Sequence, residues 1–255
     1  MPGWAAVTVH ALLVDPPREG LALPDLPATA PISEAEATDL YAAMIKDAVR
    51  AAAESGGDLL VNSPPEDSLA EIHRRDRSPQ AELRALISEV IDPGEARFEV
   101  QVGSTFAARA GNATTHLLRE EDADSVAILD GTTPTLARTD LDGAAMKLRR
   151  SEVVLGPAPG GRVHYLGLTE PLDFEGAYAP PEVETLARRG ADAGFDVDFL
   201  SLHPRVETGA DLVTLLATIR ARQAGGRRVP EHTAAALSEL GVHIGVEDGE
   251  RQIER

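Results

Sequence analysis

The apolar residues of this chain fall into two alternating periods. Residues 5–14 (AAVTVHALLV) form an unbroken apolar run that predicts a buried first strand. A Pro- and Leu-rich stretch over 15–32 reads as a long loop. Beyond it, Ala37, Leu40, Tyr41, Met44, Ile45, Ala48 and Val49 recur at the spacing of one helix face. Ser33 and Glu36 form a capping box ahead of that face, and Gly56-Gly57 stops the helix. DLLVN (58–62) predicts the second strand. Ser78 and Pro79 read as cap and first position of a helix that carries Leu83, Leu86, Ile87 and Val90 and ends at Asp92-Pro93-Gly94.

The alternation continues with a strand over 96–101, a helix over 104–119, a strand over 124–129 and a helix over 136–149. A strand in SEVVLG (151–156) precedes RVHYLGL (162–168), whose looser alternation predicts an antiparallel strand. A helix over 181–192, a strand over 195–202 and a helix over 209–222 follow. Strands alternating with helices predict an α/β fold with a mostly parallel sheet covered on both faces. This core is read as one domain over 1–222. Residues 223–255 are read as a C-terminal extension, basic at Arg227-Arg228, with a short helix over 232–240 and a charged, mobile tail.

Composition sharpens this picture. Hydrophobic residues make up 43% of the 255, enough for a core, but aromatics make up only 4%, so Ala, Val, Leu and Ile must fill it. With no cysteine, disulfides and Cys-ligated zinc are excluded. Asp+Glu outnumber Lys+Arg by 42 to 24, a net charge of −18 that opposes non-specific binding to nucleic acid and to anionic membranes. The acids are spread along the whole chain rather than gathered in a tail, which points to adaptation to concentrated salt. The opening MPGWAAVTVHALLVDPP has no Lys or Arg before its short apolar run, a poor secretion signal, and no run reaches the ~20 residues of a membrane span. The expected location is the cytoplasm.

Several segments, in order, carry a resemblance. SEAEATDLYAAMIKDAV (33–49), Gln101-Val102-Gly103 with FAARAGNA (106–113), SVAILDGTTPTL (125–136), VVLGPAPGG (153–161) with YLGL (165–168), and RVETGADLVTLL (205–216) are similar to successive motifs of the small GT-A-like glycosyltransferase group. That group is distantly related to molybdenum-cofactor and phospholactate guanylyltransferases. The resemblance covers roughly residues 5–220. It implies a GT-A fold and a transferase that takes a nucleoside triphosphate or a nucleotide sugar with Mg²⁺ or Mn²⁺ bridging its phosphates. A binding or scaffolding protein that keeps the fold without the chemistry is the alternative.

The site motifs depart from the family pattern. In DPPREGLALPDL (15–26), Pro17 and Gly20 match, but three cationic positions fall on Asp15, Leu23 and Asp25. Arg18 is the cation left there, either a phosphate contact or a solvated loop residue. The metal aspartate of the Gly-Ser-Asp-Ser-Pro motif falls on Thr132, beside Thr133. Asp130 either replaces it as metal ligand or caps the following turn. Gly160 and Gly161 either admit a ligand's close approach or form a tight turn, and Arg162 and His164 lie next to them. In RVETGADL the first metal acid falls on Arg205, while Glu207 keeps a carboxylate. Glu207 is either a metal ligand or an acid favoured by a helix N-terminus. Asp211 reads as structural. Gln101 and Arg109 match the family with no chemical step attached. The nucleotide-binding candidates are therefore Arg18, Gly20, Thr132, Thr133, Gly160, Gly161 and Arg162, the metal candidates are Asp130 and Glu207, and no catalytic residue is assigned.

The acidic surface yields a first prediction. Salt shortens the range of carboxylate repulsion to roughly 3 Å at 1 M, so the melting temperature should rise with KCl and the chain should expand or unfold at low ionic strength. A melting temperature indifferent to KCl would contradict salt adaptation.

Overall fold

The computed structural model describes residues 7–255. Strand β1 (Thr8–Leu13) is buried at every position, as a central strand covered on both faces must be. Residues 5 and 6 of the expected first strand lie outside the described residues. β1 pairs in parallel with β2 (Asp58–Ser63) on one side and β4 (Ser125–Leu129) on the other, and β2 pairs in parallel with β3 (Ala96–Val100). β6 (Arg162–Leu168) runs antiparallel to both β4 and β5 (Val153–Ala158), and β7 (Val197–Phe199) adds in parallel to β5. The seven-stranded order is β3-β2-β1-β4-β6-β5-β7.

The pleat of β1 sorts the core into two layers. Leu12 and Val14 face α2 (Glu34–Glu54), α3 (Pro79–Ile87), α5 (Arg138–Leu148), α7 (Gly209–Ala224) and α8 (Glu231–Leu240), and pack with Met44, Ile45, Leu141 and Leu216. Val9, Ala11 and Leu13 face α4 (Phe106–Arg119) and α6 (Glu182–Asp192), and pack with Ala110, Leu117 and Leu186. The Ser33/Glu36 capping box and the Ser78 cap are present at the starts of α2 and α3.

Several boundaries differ from expectation. The loop over 15–32 contains a single helical turn, α1 (Leu26–Thr29), with Pro27 in its first turn and Leu26 buried. α3 stops at Ile87 because the Ser88 N–H turns onto the Arg84 and Leu86 carbonyls and tightens the last turn. β7 ends at Phe199, and residues 200–203 leave the sheet with only the Leu200 and His203 amides bonded to β5, through Leu155 and Pro157. The final charged stretch, expected as a mobile tail, forms a hairpin of β8 (His243–Glu247) and β9 (Glu250–Glu254). Asp248 and Gly249 turn it at φ 51° and 85°, the Asp-Gly signature of a tight hairpin. Ile253 is buried in the layer that holds α7. The expected helix over 232–240 is α8. It docks on α2 through buried Asp47, whose carboxylate accepts hydrogen bonds from the His232 and Thr233 amides and the Thr233 hydroxyl.

Two histidines in the sheet carry a pH dependence. His10 on β1 bonds the Ser55 hydroxyl at 3.0 Å, and burial lowers its pKa from 6.5 to about 4 against a weaker opposing pull from Asp142. The His164 Nε2 donates to the Ser201 carbonyl at 3.1 Å, and burial likewise lowers its pKa from 6.5 to about 4. Both are neutral in the folded chain at pH 7, whereas the unfolded chain takes up their protons below about pH 6.5. Their contribution to stability is complete above pH 6.5 and is lost as pH falls to about 4, by about 3 kcal/mol for each histidine at ~1.4 kcal/mol per unit. Urea unfolding at steps between pH 7 and 4 should show this slope, and His164→Gln should remove one share of it.

Candidate functional site

The strand order reverses direction between β1, which leads on to β2 and β3, and β4. In open α/β sheets a ligand crevice lies beyond the carboxyl ends of the strands at such a switch point. A cleft of ≈ 300 Å³ sits there. Leu13 and Asp15 come from the end of β1, Asp130 and Thr132 from the end of β4, and Arg205 and Glu207 from the segment before α7. Leu21–Asp25, Tyr41, Gln101, Phe106 and Arg109 complete the wall. Four acids (Asp15, Asp25, Asp130 and Glu207) and two arginines line it, in keeping with the loss of cations from the 15–26 loop.

The electrostatic centre of the cleft is Arg205. Its Nε lies 2.8 Å from Asp130 Oδ2, its Nη1 3.2 Å from Glu182 Oε2 and its Nη2 2.8 Å from Glu207 Oε1. Three elements supply those carboxylates: the end of β4, the start of α6 and the approach to α7. The Val206 amide bonds the Thr132 carbonyl at 2.9 Å and fixes the Arg205 segment against the end of β4. Beside it, the Arg162 Nη1 donates to Glu207 Oε2 at 2.9 Å, and the same guanidinium pairs with Asp211. Asp211 also closes a capping box with Thr208 at the start of α7, the structural role expected of it. That start is pressed close against α1: a Cβ on Gly209 would lie 2.1 Å from the Thr29 carbonyl oxygen. Burial raises the pKa of Glu182, with Arg205 opposing, and burial raises that of Asp15, with Arg109 opposing.

The structure separates the expected site residues. Asp130, Thr132 and Glu207 line the cleft. Asp130 Oδ1 accepts from the Thr132 amide and hydroxyl, the turn-capping role. Arg18 does not reach the cleft and is not a solvated loop residue either. It is 5% exposed, and its guanidinium is saturated by Glu66, Glu82 and the His73 and Arg77 carbonyls. It cross-links the first loop to the 66–82 segment. Gly20 turns the chain at φ 73°, outside the lining. Thr133 is buried and does not line the cleft. Gly160 and Gly161, both at φ 78°, form the tight turn between β5 and β6. Arg162 is committed to Glu207 and Asp211, so it is not free for phosphate. His164 is a buried core residue.

Asp15, Arg109 and Arg205 in the cleft wall, and Glu182 beside it, carry no role in the sequence reading. For Arg205 there was a signal, since it is a cation standing at an acid position of a carboxylate-rich motif. Glu182 had none, because α6 is remote in sequence from its partners.

The residues do not fit a divalent metal. Asp130 spends Oδ1 on Thr132 and Oδ2 on Arg205, and Glu207 spends Oε1 on Arg205 and Oε2 on Arg162. A metal there would have to displace a guanidinium from each. Among the described residues no group of three or more His, Asp or Glu side chains could hold a metal ion, and no helix is long and apolar enough to cross a membrane.

No family model matches the chain, and no curated protein matches it significantly. Among solved structures, a proposed nucleotide-diphospho-sugar transferase from Desulfovibrio desulfuricans superposes with a TM-score of 0.74 at 21% identity, over 92% of this chain and 95% of that one. A cytidylyltransferase from Leptospira borgpetersenii gives 0.49 at 11% identity, over 92% and 95%. The 4-diphosphocytidyl-2C-methyl-D-erythritol synthase from Anaerococcus prevotii gives 0.49 at 10% identity, over 85% and 100%. The first of these matches establishes the fold: the chain has the α/β architecture of the GT-A nucleotide-diphospho-sugar transferases, with a mostly parallel seven-stranded sheet between helices.

Arg18 supplies a test of structural against ligand-binding roles. Arg18→Met leaves Glu66 and Glu82 without their cation and should lower the urea midpoint of unfolding. It should leave the response to nucleotides unchanged, since the guanidinium lies outside the cleft.

Proposed function

We propose that the cleft is the nucleotide site of a GT-A-type transferase, taking a nucleoside triphosphate or a nucleotide sugar. The observation that carries this reading is a set of buried, unsatisfied polar atoms in the cleft wall, Arg205 Nε among them. Arg109 Nε and Gln101 Oε1 are buried without a hydrogen-bond partner among the described residues. A buried polar atom left unpaired costs about 1–3 kcal/mol, and a ligand that pairs with it recovers that energy. Arg109 has no ion pair with any described carboxylate and is suited to a phosphate oxygen. The Gln101 oxygen accepts from a hydroxyl or amino group, and Tyr41 and Phe106 offer flat surface to a base or sugar. The volume is at the low end of the ~300–1,000 Å³ of small-molecule sites, so part of a nucleotide would remain in solvent.

Asp130 and Glu207 orient Arg205 and Thr132 in this reading, and no step runs through a metal. The closure of those two acids around Arg205 favours a second reading, in which the fold binds a nucleotide without transferring it.

Thermal unfolding against a panel of nucleoside triphosphates and nucleotide sugars, in molar KCl with EDTA, tests the proposal. A ligand at 100 times its Kd should add ~2.7 kcal/mol, a rise of about 5–10 °C for a chain of this size. Arg109→Ala should abolish the rise and leave the unliganded melt nearly unchanged. A panel without effect on the melt refutes the nucleotide site. Release of pyrophosphate or nucleoside diphosphate from the stabilising ligand separates transfer from binding alone.

A further inference from the structure

We infer that Arg205 is the resident cation of the cleft, a tethered counter-ion that closes the site to divalent metal and makes ligand binding metal-independent. The ligand half of this statement rests on the nucleotide reading above, and the cation half rests on the side chains alone. Asp130, Glu182 and Glu207, from three separate elements, surround one guanidinium, each facing a different nitrogen within 3.2 Å. Three carboxylates at such distances repel one another unless a cation lies between them, and a guanidinium holds its charge at every pH at which the chain folds. Its position is set by the backbone through the Val206–Thr132 hydrogen bond and by the Val163 carbonyl, 3.4 Å from Nη1.

A divalent ion competing for Asp130 and Glu207 would face this guanidinium and that of Arg162, and each carboxylate oxygen already has a partner within 2.9 Å. Arg205 lines the cleft wall. Its Nη1 donates to Glu182 and to the Val163 carbonyl, its Nη2 lies 2.8 Å from Glu207, and its buried Nε lies 2.8 Å from Asp130 without a hydrogen-bond partner among the described residues. With Arg109, the cleft thus offers two guanidinium groups for one anionic ligand. That arrangement suits a nucleotide phosphate bound without its metal.

Mn²⁺ titration of the full chain, followed by electron paramagnetic resonance and by thermal unfolding, decides the matter. The wild-type chain should show no saturable Mn²⁺ site, and any nucleotide-induced rise in melting temperature should be the same in EDTA as in Mn²⁺. Arg205→Ala should gain one saturable Mn²⁺ site and a Mn²⁺-dependent rise in melting temperature, and adding Glu207→Gln should abolish both. Arg205→Lys, which keeps the charge, should stay blind to Mn²⁺. One equivalent of Mn²⁺ bound by the wild type and lost in Glu207→Gln overturns the inference, as does a folded Arg205→Ala that binds none. The wild-type titration stands even where Arg205→Ala does not fold. A nucleotide panel without effect overturns the nucleotide site but leaves the Mn²⁺ result to decide the role of Arg205.

Discussion

One guanidinium, shared by three carboxylates, governs the chemistry of this protein's carboxyl edge. Arg205 joins the end of β4, the start of α6 and the approach to α7. Each of those carboxylates, taken out of water without its partner, would be strongly unfavourable, and so the three segments are held together by the same side chain that sets the charge of the cleft. Arg162 extends the arrangement to Asp211, whose other role is to cap α7. Folding of the loops and electrostatics of the site are here one set of contacts.

The sheet decides where that set of contacts can form. β6 is the one strand that runs against the others, so its first residue, Arg162, lies at the edge where the parallel strands end. The reversal of strand order between β1 and β4 leaves a crevice at the same edge. Arg109 enters that crevice from α4 on the far layer, and Tyr41 enters it from α2 on the near one. A chain with a net charge of −18 places its arginines where they are matched: Arg18 between Glu66 and Glu82, Arg205 among three acids. Arg109, at the cleft, has no carboxylate within ion-pair distance among the described residues, which suits it to an anionic ligand.

How much of this could be read from the residues in order varies with the range of the interactions. The capping box at Ser33, the Ser78 cap, the alternation of strands and helices and the antiparallel strand over 162–168 all rest on periodicity and on contacts within a few residues. They stand in the structure with shifts of a few positions at element ends. The C-terminal hairpin was also local, signalled by Asp248-Gly249 and by Val242, Ile244 and Val246 in alternation, but its high charge masks that pattern. Among the site candidates, Asp130, Thr132 and Glu207 could be placed by their position at strand or helix ends, because a mostly parallel sheet puts its crevice there.

The sequence by itself determined the alternation of elements, the layers they imply, the acidity of the surface and the departure of the phosphate and metal motifs from the resembling family. Only the tertiary structure decided what the remaining charges do. Arg18 and its acids are separated by 48 and 64 residues, and Arg205 is drawn to Asp130 and Glu182 from other elements. Spacing along a chain encodes which side chains share a helix face or a strand face. Which charges neutralise one another across the end of a sheet depends on the order of its strands, and no local pattern carries that order.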